Sequence, residues 1–344
     1  MTSRRMLIWS AVGLGAAGAG GSLFRANHDL PPADPIAEQR FRELQDSLLA
    51  RHGIPAESRF IETHDPPLRV HVIEAGDGEP VVFIHGGNSV AAAWTPLLAR
   101  LHRRYHVYAP DRPGCGLTTK FVYPPGISLR AHAASFVASV LDSLGLARAT
   151  IVGNSMGGYF GLVFALAHPE RVSRLVLIGE PAGSAPKSRL AYRLIGTRII
   201  NSALFATVLK PGPQSVRKGF DNLLVADIRR VPADYLECMT AGAVIPGAVQ
   251  SWITLVENAY DPPGAGMFSG SSTLTYKLRP EFPRLAVPTL LLWGEKDALG
   301  APLLGQEMAA LMQHALCDVI PDAGHIAWLD QLDLCADKVE LFLG

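Results

Sequence analysis

IVGNSMGGYF, residues 151–160, sets one hydroxyl among small residues where a β-branched run gives way to a helical pattern. A strand, a tight glycine-flanked turn and a helix are what Gly-x-Ser-x-Gly needs to thrust a serine Oγ outward as a nucleophile elbow. Gly153, Gly157 and Gly158 supply the room, and Ser155 is the candidate nucleophile. A phosphate-binding strand-to-helix turn is the competing reading, but neither GxGxxG nor GKS/T is present.

Outward from that stretch the chain alternates. RVHVIEA, PVVFIHGG, YHVYAPD, ATIVGNS, RLVLIGE, PTLLLWGEKD and ALCDVIPDAG read as strands, near-continuously apolar as in a sheet covered on both faces. WTPLLARL, SLRAHAASFVASVLDSLGL, GGYFGLVFALAHPERV and APLLGQEMAALM carry apolar residues at helical spacing. The fold class expected is α/β: a doubly wound, mostly parallel sheet. Residues 181–284 break the alternation for too long to be a loop, so they are expected to form a mostly helical cap over the carboxyl edge of the sheet. The core is then 59–180 and 285–344.

A serine hydroxyl is a poor nucleophile until a base takes its proton and a carboxylate orients that base. His325, in PDAGH, follows the last strand pattern, and Asp297, in GEKD, follows the one before. Both therefore emerge on the edge that carries Ser155. Glu180, at the end of RLVLIGE, is the competing carboxylate. Acyl transfer also needs two N–H donors aimed at the developing oxyanion, for which the Gly87 and Met156 amides are the candidates. His85 is expected to stabilise the HGGN loop, Asp111–Thr118 to form a turn fixed by Asp111 and Arg112, and His102 and His106 to be surface residues lacking carboxylate partners.

HGG, DRPGCGLT, GNSMGG, GEKD and PDAGH together resemble the α/β-hydrolase superfamily, in the branch with a helical cap, from about Arg59 to the C-terminus. The resemblance implies Ser155 as nucleophile, His325 as general base and acid, and Asp297 as its partner. It also implies two-step acyl transfer, and serine in place of aspartate argues against a dehalogenase or epoxide hydrolase. The leading expectation is a serine esterase acting on a small to medium apolar carboxylic ester. The alternatives are a carbon–carbon bond hydrolase of ring-fission dienoic acids, whose GNSMGG is similar but whose oxyanion loop usually carries Gly-Pro-Gly, and a non-catalytic small-ligand binding protein.

Composition narrows the partners. Of 344 residues, 48% are hydrophobic and 18% charged, enough to bury a large core; 31 basic and 31 acidic side chains leave no net field for nucleic acid. Cys115, Cys238, Cys317 and Cys335 form no CxxC pair or metal cluster, and no cofactor or metal is called for. Disulfide pairing and oligomeric state are left open. At the N-terminus, Arg4 and Arg5 precede the uncharged stretch Met6–Phe24, with Ala17-Gly18-Ala19 as a small-residue cleavage pattern. Residues 1–30 are therefore expected to target the chain for export or anchor it in a membrane, the one association with a membrane expected. Residues 31–58 read as a proline linker and an amphipathic helix capped by Asp34, with Ile36, Phe41, Leu44, Leu48 and Leu49 on one face.

Overall fold

The computed structural model describes residues 29–187, 190–197, 200–201, 204–205, 207, 210–260 and 274–344. The N-terminal targeting segment expected at 1–30 lies almost wholly outside the described residues, as do parts of the 181–284 interval. At the centre stands an eight-stranded sheet: β1 (Glu57–His64), β2 (Pro67–Ala75), β3 (Glu79–Ile84), β4 (Tyr105–Pro110), β5 (Ala149–Asn154), β6 (Val172–Ile178), β7 (Thr289–Gly294) and β8 (Ala315–Ile320). Their order is β1-β2-β4-β3-β5-β6-β7-β8, with only β2 running against its neighbours. The expected mostly parallel, doubly wound sheet is what the chain forms. β1 was not among the expected strands: its charged, partly exposed residues ESRFIETH give it only a weak alternation, as suits an edge.

β5 and β7 are buried at every position, which is why their sequences are unbroken apolar runs. Helices α1 (Pro35–Arg51), α2 (Thr95–Leu101), α3 (Leu129–Ser143), α4 (Met156–Ala167), α5 (Ala233–Val244), α6 (Ala248–Tyr260), α7 (Pro302–Leu311) and α8 (Leu332–Leu343) surround the sheet. Adjacent residues of β5 face opposite layers. Val152 joins Phe41, Leu97 and Val339 of α1, α2 and α8, whereas Ile151 joins Phe136, Phe160 and Met308 of α3, α4 and α7. Each such fully buried side chain contributes about 1.5–3 kcal/mol.

α1 starts as its sequence dictates: the Asp34 carboxylate accepts the Ile36 and Ala37 amides, and Pro35 takes the first turn, where its missing N–H costs nothing. Phe41, Leu48 and Leu49 of the expected face are buried and Leu44 packs half-buried beside them, so the face differs from expectation at two positions. Ile36 is 80% exposed, while Gln45 is fully buried, because the Gln45 amide donates to Ser58 Oγ of β1. Two histidines also depart from expectation. His102 is buried and donates from Nδ1 to the Leu98 carbonyl, and half-buried His106 pairs with Glu74 at 2.7 Å. The four cysteines are unpaired.

α5 and α6 lie against the loops that leave the carboxyl ends of β3 and β4. On one face of α6, Ser251 Oγ, Thr254 Oγ1 and Asn258 Oδ1 accept the amides of Phe121, Tyr123 and Gly126 at 3.2, 3.0 and 2.8 Å. α6 is thus stitched to the loop after β4 at three successive points. No described helix is by itself long and apolar enough to cross a membrane.

Candidate active site

Ser155 follows β5 directly and precedes α4. Its backbone sits at φ 53°, ψ −114°, a region that costs a non-glycine residue on the order of 1–3 kcal/mol. The flanking glycines explain how that turn survives. A Cβ at Gly157 would collide with the Ile84 carbonyl at the end of β3, and one at Gly153 would come 2.5 Å from the Gly157 oxygen. The lone hydroxyl among small residues is therefore a consequence of packing: the elbow presses against its neighbouring strand, and nothing larger than hydrogen fits on either side.

The expected partners arrive from the ends of β7 and β8. His325 is buried, and its Nδ1 donates to Asp297 Oδ2 at 2.8 Å. The Asp297 carboxylate is held in turn by the Glu180 amide at 3.0 Å on the same oxygen and by the Leu299 amide at 2.8 Å on the other. His325 Nε2 is buried and has no hydrogen-bond partner among the described residues. Asn154, next to Ser155, donates its side-chain amide to the His325 carbonyl at 3.3 Å, tying the histidine loop to the elbow. Burial presses the His325 pKa down, but the Asp297 charge and hydrogen bond, with the Glu180 charge, outweigh it and leave the value above the ordinary one.

The HGGN loop, expected to carry one oxyanion donor, follows β3. Gly86 touches the elbow: a Cβ there would lie 2.7 Å from Asn154 Oδ1 and 3.3 Å from Ser155 Cβ. At Gly87 a Cβ would strike the outer edge of the Trp252 indole, so this ring of α6 walls the space beside the candidate donor. Met156, the other candidate, is buried at the first position of α4, where backbone amides are free of helical partners. His85 is neutral at any ordinary pH, since burial and then the Arg112 charge push its pKa down to about 3.

Sequence reasoning passed over Trp252 and Asp330, and expected Arg112 only to fix its own turn. Trp252 carries no motif. Arg112, 1% exposed, reaches back to the His85 and Gly86 carbonyls at 2.9 and 2.7 Å. Asp330 accepts the Gly324 amide, beside His325, and the Ala226 amide at 2.8 Å each, with the Asp227 amide at 3.2 Å, so it joins the histidine loop to the segment 225–227.

A family model described as alpha/beta hydrolase fold matches residues 79–332. The chain belongs to the α/β-hydrolase family. As such a hydrolase it is 27% identical over 297 residues to the 2-hydroxy-6-oxononadienedioate/2-hydroxy-6-oxononatrienedioate hydrolase of Comamonas testosteroni, covering 80% of this chain and 92% of that one. Among solved structures, the carboxylesterase CesB of Bacillus subtilis superposes with a TM-score of 0.70 at 23% identity, over 89% of this chain and 98% of that one. A bacterial membrane phospholipase A gives 0.68 at 22% identity, over 90% and 91%. These two likenesses are of fold.

Proposed function

We propose that this α/β-hydrolase cleaves small to medium apolar carboxylic esters through an acyl-enzyme. Ser155 attacks the carbonyl, and His325 Nε2 takes the hydroxyl proton and returns it to the leaving alcohol. Asp297 holds the imidazole with Nδ1 protonated, and the Gly87 and Met156 amides receive the oxyanion. Water then repeats the sequence in reverse and frees the acid and Ser155. The observation that carries this reading is the buried His325, fixed through Nδ1 on Asp297 with Nε2 left open, on a loop hydrogen-bonded to the residue beside Ser155. The apolar edge of Trp252 beside Gly87 supports an apolar substrate.

The test is labelling with a fluorophosphonate probe followed by site mapping. Modification at Ser155, abolished in Ser155→Ala and slowed in His325→Ala, is the expected result. Absence of labelling in folded protein favours the non-catalytic, ligand-binding reading instead.

A second reading is favoured by the curated relatives: hydrolysis of a carbon–carbon bond in a ring-fission dienoic acid, the chemistry named for the Comamonas testosteroni enzyme. Against it stands the HGGN loop, His85–Asn88, without Gly-Pro-Gly. Turnover of p-nitrophenyl butyrate set against bleaching of a coloured dienoate separates the two.

The N-terminal segment belongs to the same proposal: residues 1–30 target the chain for export or anchor it in a membrane. Its uncharged stretch Met6–Phe24 at ~1.5 Å per residue approaches a hydrocarbon core of roughly 30 Å. Fractionation of the full chain against one lacking residues 1–30 tests this, and equal retention of both in the cytoplasm overturns it.

A further inference from the structure

We infer that Arg112 is a positioning residue for the oxyanion donor, acting with His85 through the peptide bond between Gly86 and Gly87. The inference rests on the reading of Gly87 N–H as that donor. A peptide unit is planar, and in its trans form the C=O and N–H point in opposite directions. The Gly86 carbonyl and the Gly87 amide are two ends of one such plate, and the only cis bond described is Asp65–Pro66. Whatever grips the carbonyl therefore aims the amide.

Two donors grip it. An Arg112 terminal guanidinium nitrogen lies 2.7 Å from the Gly86 oxygen, and His85 Nδ1 lies 2.9 Å from the same atom. The imidazole is fixed in the tautomer this requires. Its Nε2 accepts the Arg112 backbone amide at 2.9 Å, so the proton sits on Nδ1. Arg112 Nε adds a bond to the His85 carbonyl at 2.9 Å. With glycine on both sides the plate has little steric reason to keep one orientation, since glycine populates positive and negative φ about equally. The guanidinium and imidazole supply that reason. Donors on the carbonyl also polarise the peptide and strengthen its N–H.

The far end of the loop is held by the neighbouring residue. Asp111 Oδ1 accepts the Ala91 amide at 2.6 Å, while Oδ2 accepts from His71 Nδ1 at 2.8 Å and the Leu117 amide at 3.0 Å. The Asp111-Arg112 pair thus clamps residues 85–91 at both ends, with Gly87 between. The guanidinium also lies 5.4 Å over the Phe160 ring of α4, the helix that follows the nucleophile.

The test compares an oxoester with its thionoester, whose sulfur is a weak hydrogen-bond acceptor and gains little from an oxyanion donor. In Arg112→Lys and, separately, His85→Ala, kcat for the oxoester is expected to fall about 10- to 100-fold with KM changed less than about threefold. Thionoester turnover should fall less than about threefold, and a trifluoromethyl ketone inhibitor should weaken along with kcat. Equal losses on both esters, or no loss in either folded variant, overturn the inference. If wild-type protein neither labels at Ser155 nor turns over the oxoester, the hydrolase reading has failed instead. The two failures are therefore told apart by the wild-type control.

Discussion

The Glu180 amide and the Asp297 carboxylate share a hydrogen bond of 3.0 Å, and it falls on the same Asp297 oxygen that receives His325 Nδ1. The two acids that compete in sequence thus meet in one assembly. Asp297 gives His325 its carboxylate, while Glu180 braces that carboxylate with its backbone and adds its own charge nearby. Asp297→Asn is expected to lower kcat by about 10⁴, as loss of the correct histidine tautomer does in such relays. Glu180→Gln keeps the backbone donor and should cost far less. Steady-state rates of the two variants decide, and a larger loss in Glu180→Gln reverses the assignment.

The same pair sets the pH profile. His325 must be neutral to act as a base, and its pKa is raised, so kcat/KM should fall on acidification with a midpoint above the ordinary imidazole value. Glu180→Gln removes one of the charges that raise it. Its acid limb should therefore move to lower pH, and a pH–rate profile that does not move contradicts this electrostatic role.

His132 gives a stability prediction of the opposite sense. Burial, then the Arg112 charge, lowers its pKa to about 4, and Nε2 has no partner among the described residues. The unfolded chain takes up this proton near pH 6.5, whereas the folded chain resists it until about pH 4. Its contribution is thus whole above the unfolded value and lost as pH falls, at about 1.4 kcal/mol per unit. Urea unfolding of His132→Phe should lose about 2 kcal/mol less than wild type between pH 7 and 4.5.

Trp252 should limit substrate size. Its indole edge closes the space beside Gly87, so Trp252→Ala is expected to raise kcat/KM for p-nitrophenyl octanoate relative to butyrate by roughly tenfold, the worth of one or two methylenes in a pocket. An unchanged ratio would falsify this role for the ring.

Asp330→Ala would leave the amides of Gly324, Ala226 and Asp227 without their acceptor. Burying such groups unpaired costs about 1–3 kcal/mol each where water cannot enter. A fall of about 3 kcal/mol in unfolding free energy is expected by denaturant titration, together with slower turnover because the lost bond adjoins His325.

What could be read from the sequence follows from range. Ser155, Asp297 and His325 each sit at a strand end marked by its own local pattern, so counting alternations was enough to bring them to one edge. Arg112, Trp252 and Asp330 act across contacts that no spacing encodes; Asp330 and Ala226 are 104 residues apart in the chain. The burial of Gln45 within the expected face of α1 was missed for a related reason. Gln45 looks like a surface residue until Ser58 and His71 are found facing it, since burying a polar side chain is favoured only when partners from elsewhere satisfy it.

The seam between α6 and the segment 121–126 carries a kinetic corollary. A helix fastened along its length cannot swing away from that segment without parting all three bonds together. Amide exchange at Phe121, Tyr123 and Gly126 would then proceed at rates close to those of complete unfolding, however fast the catalyst cycles.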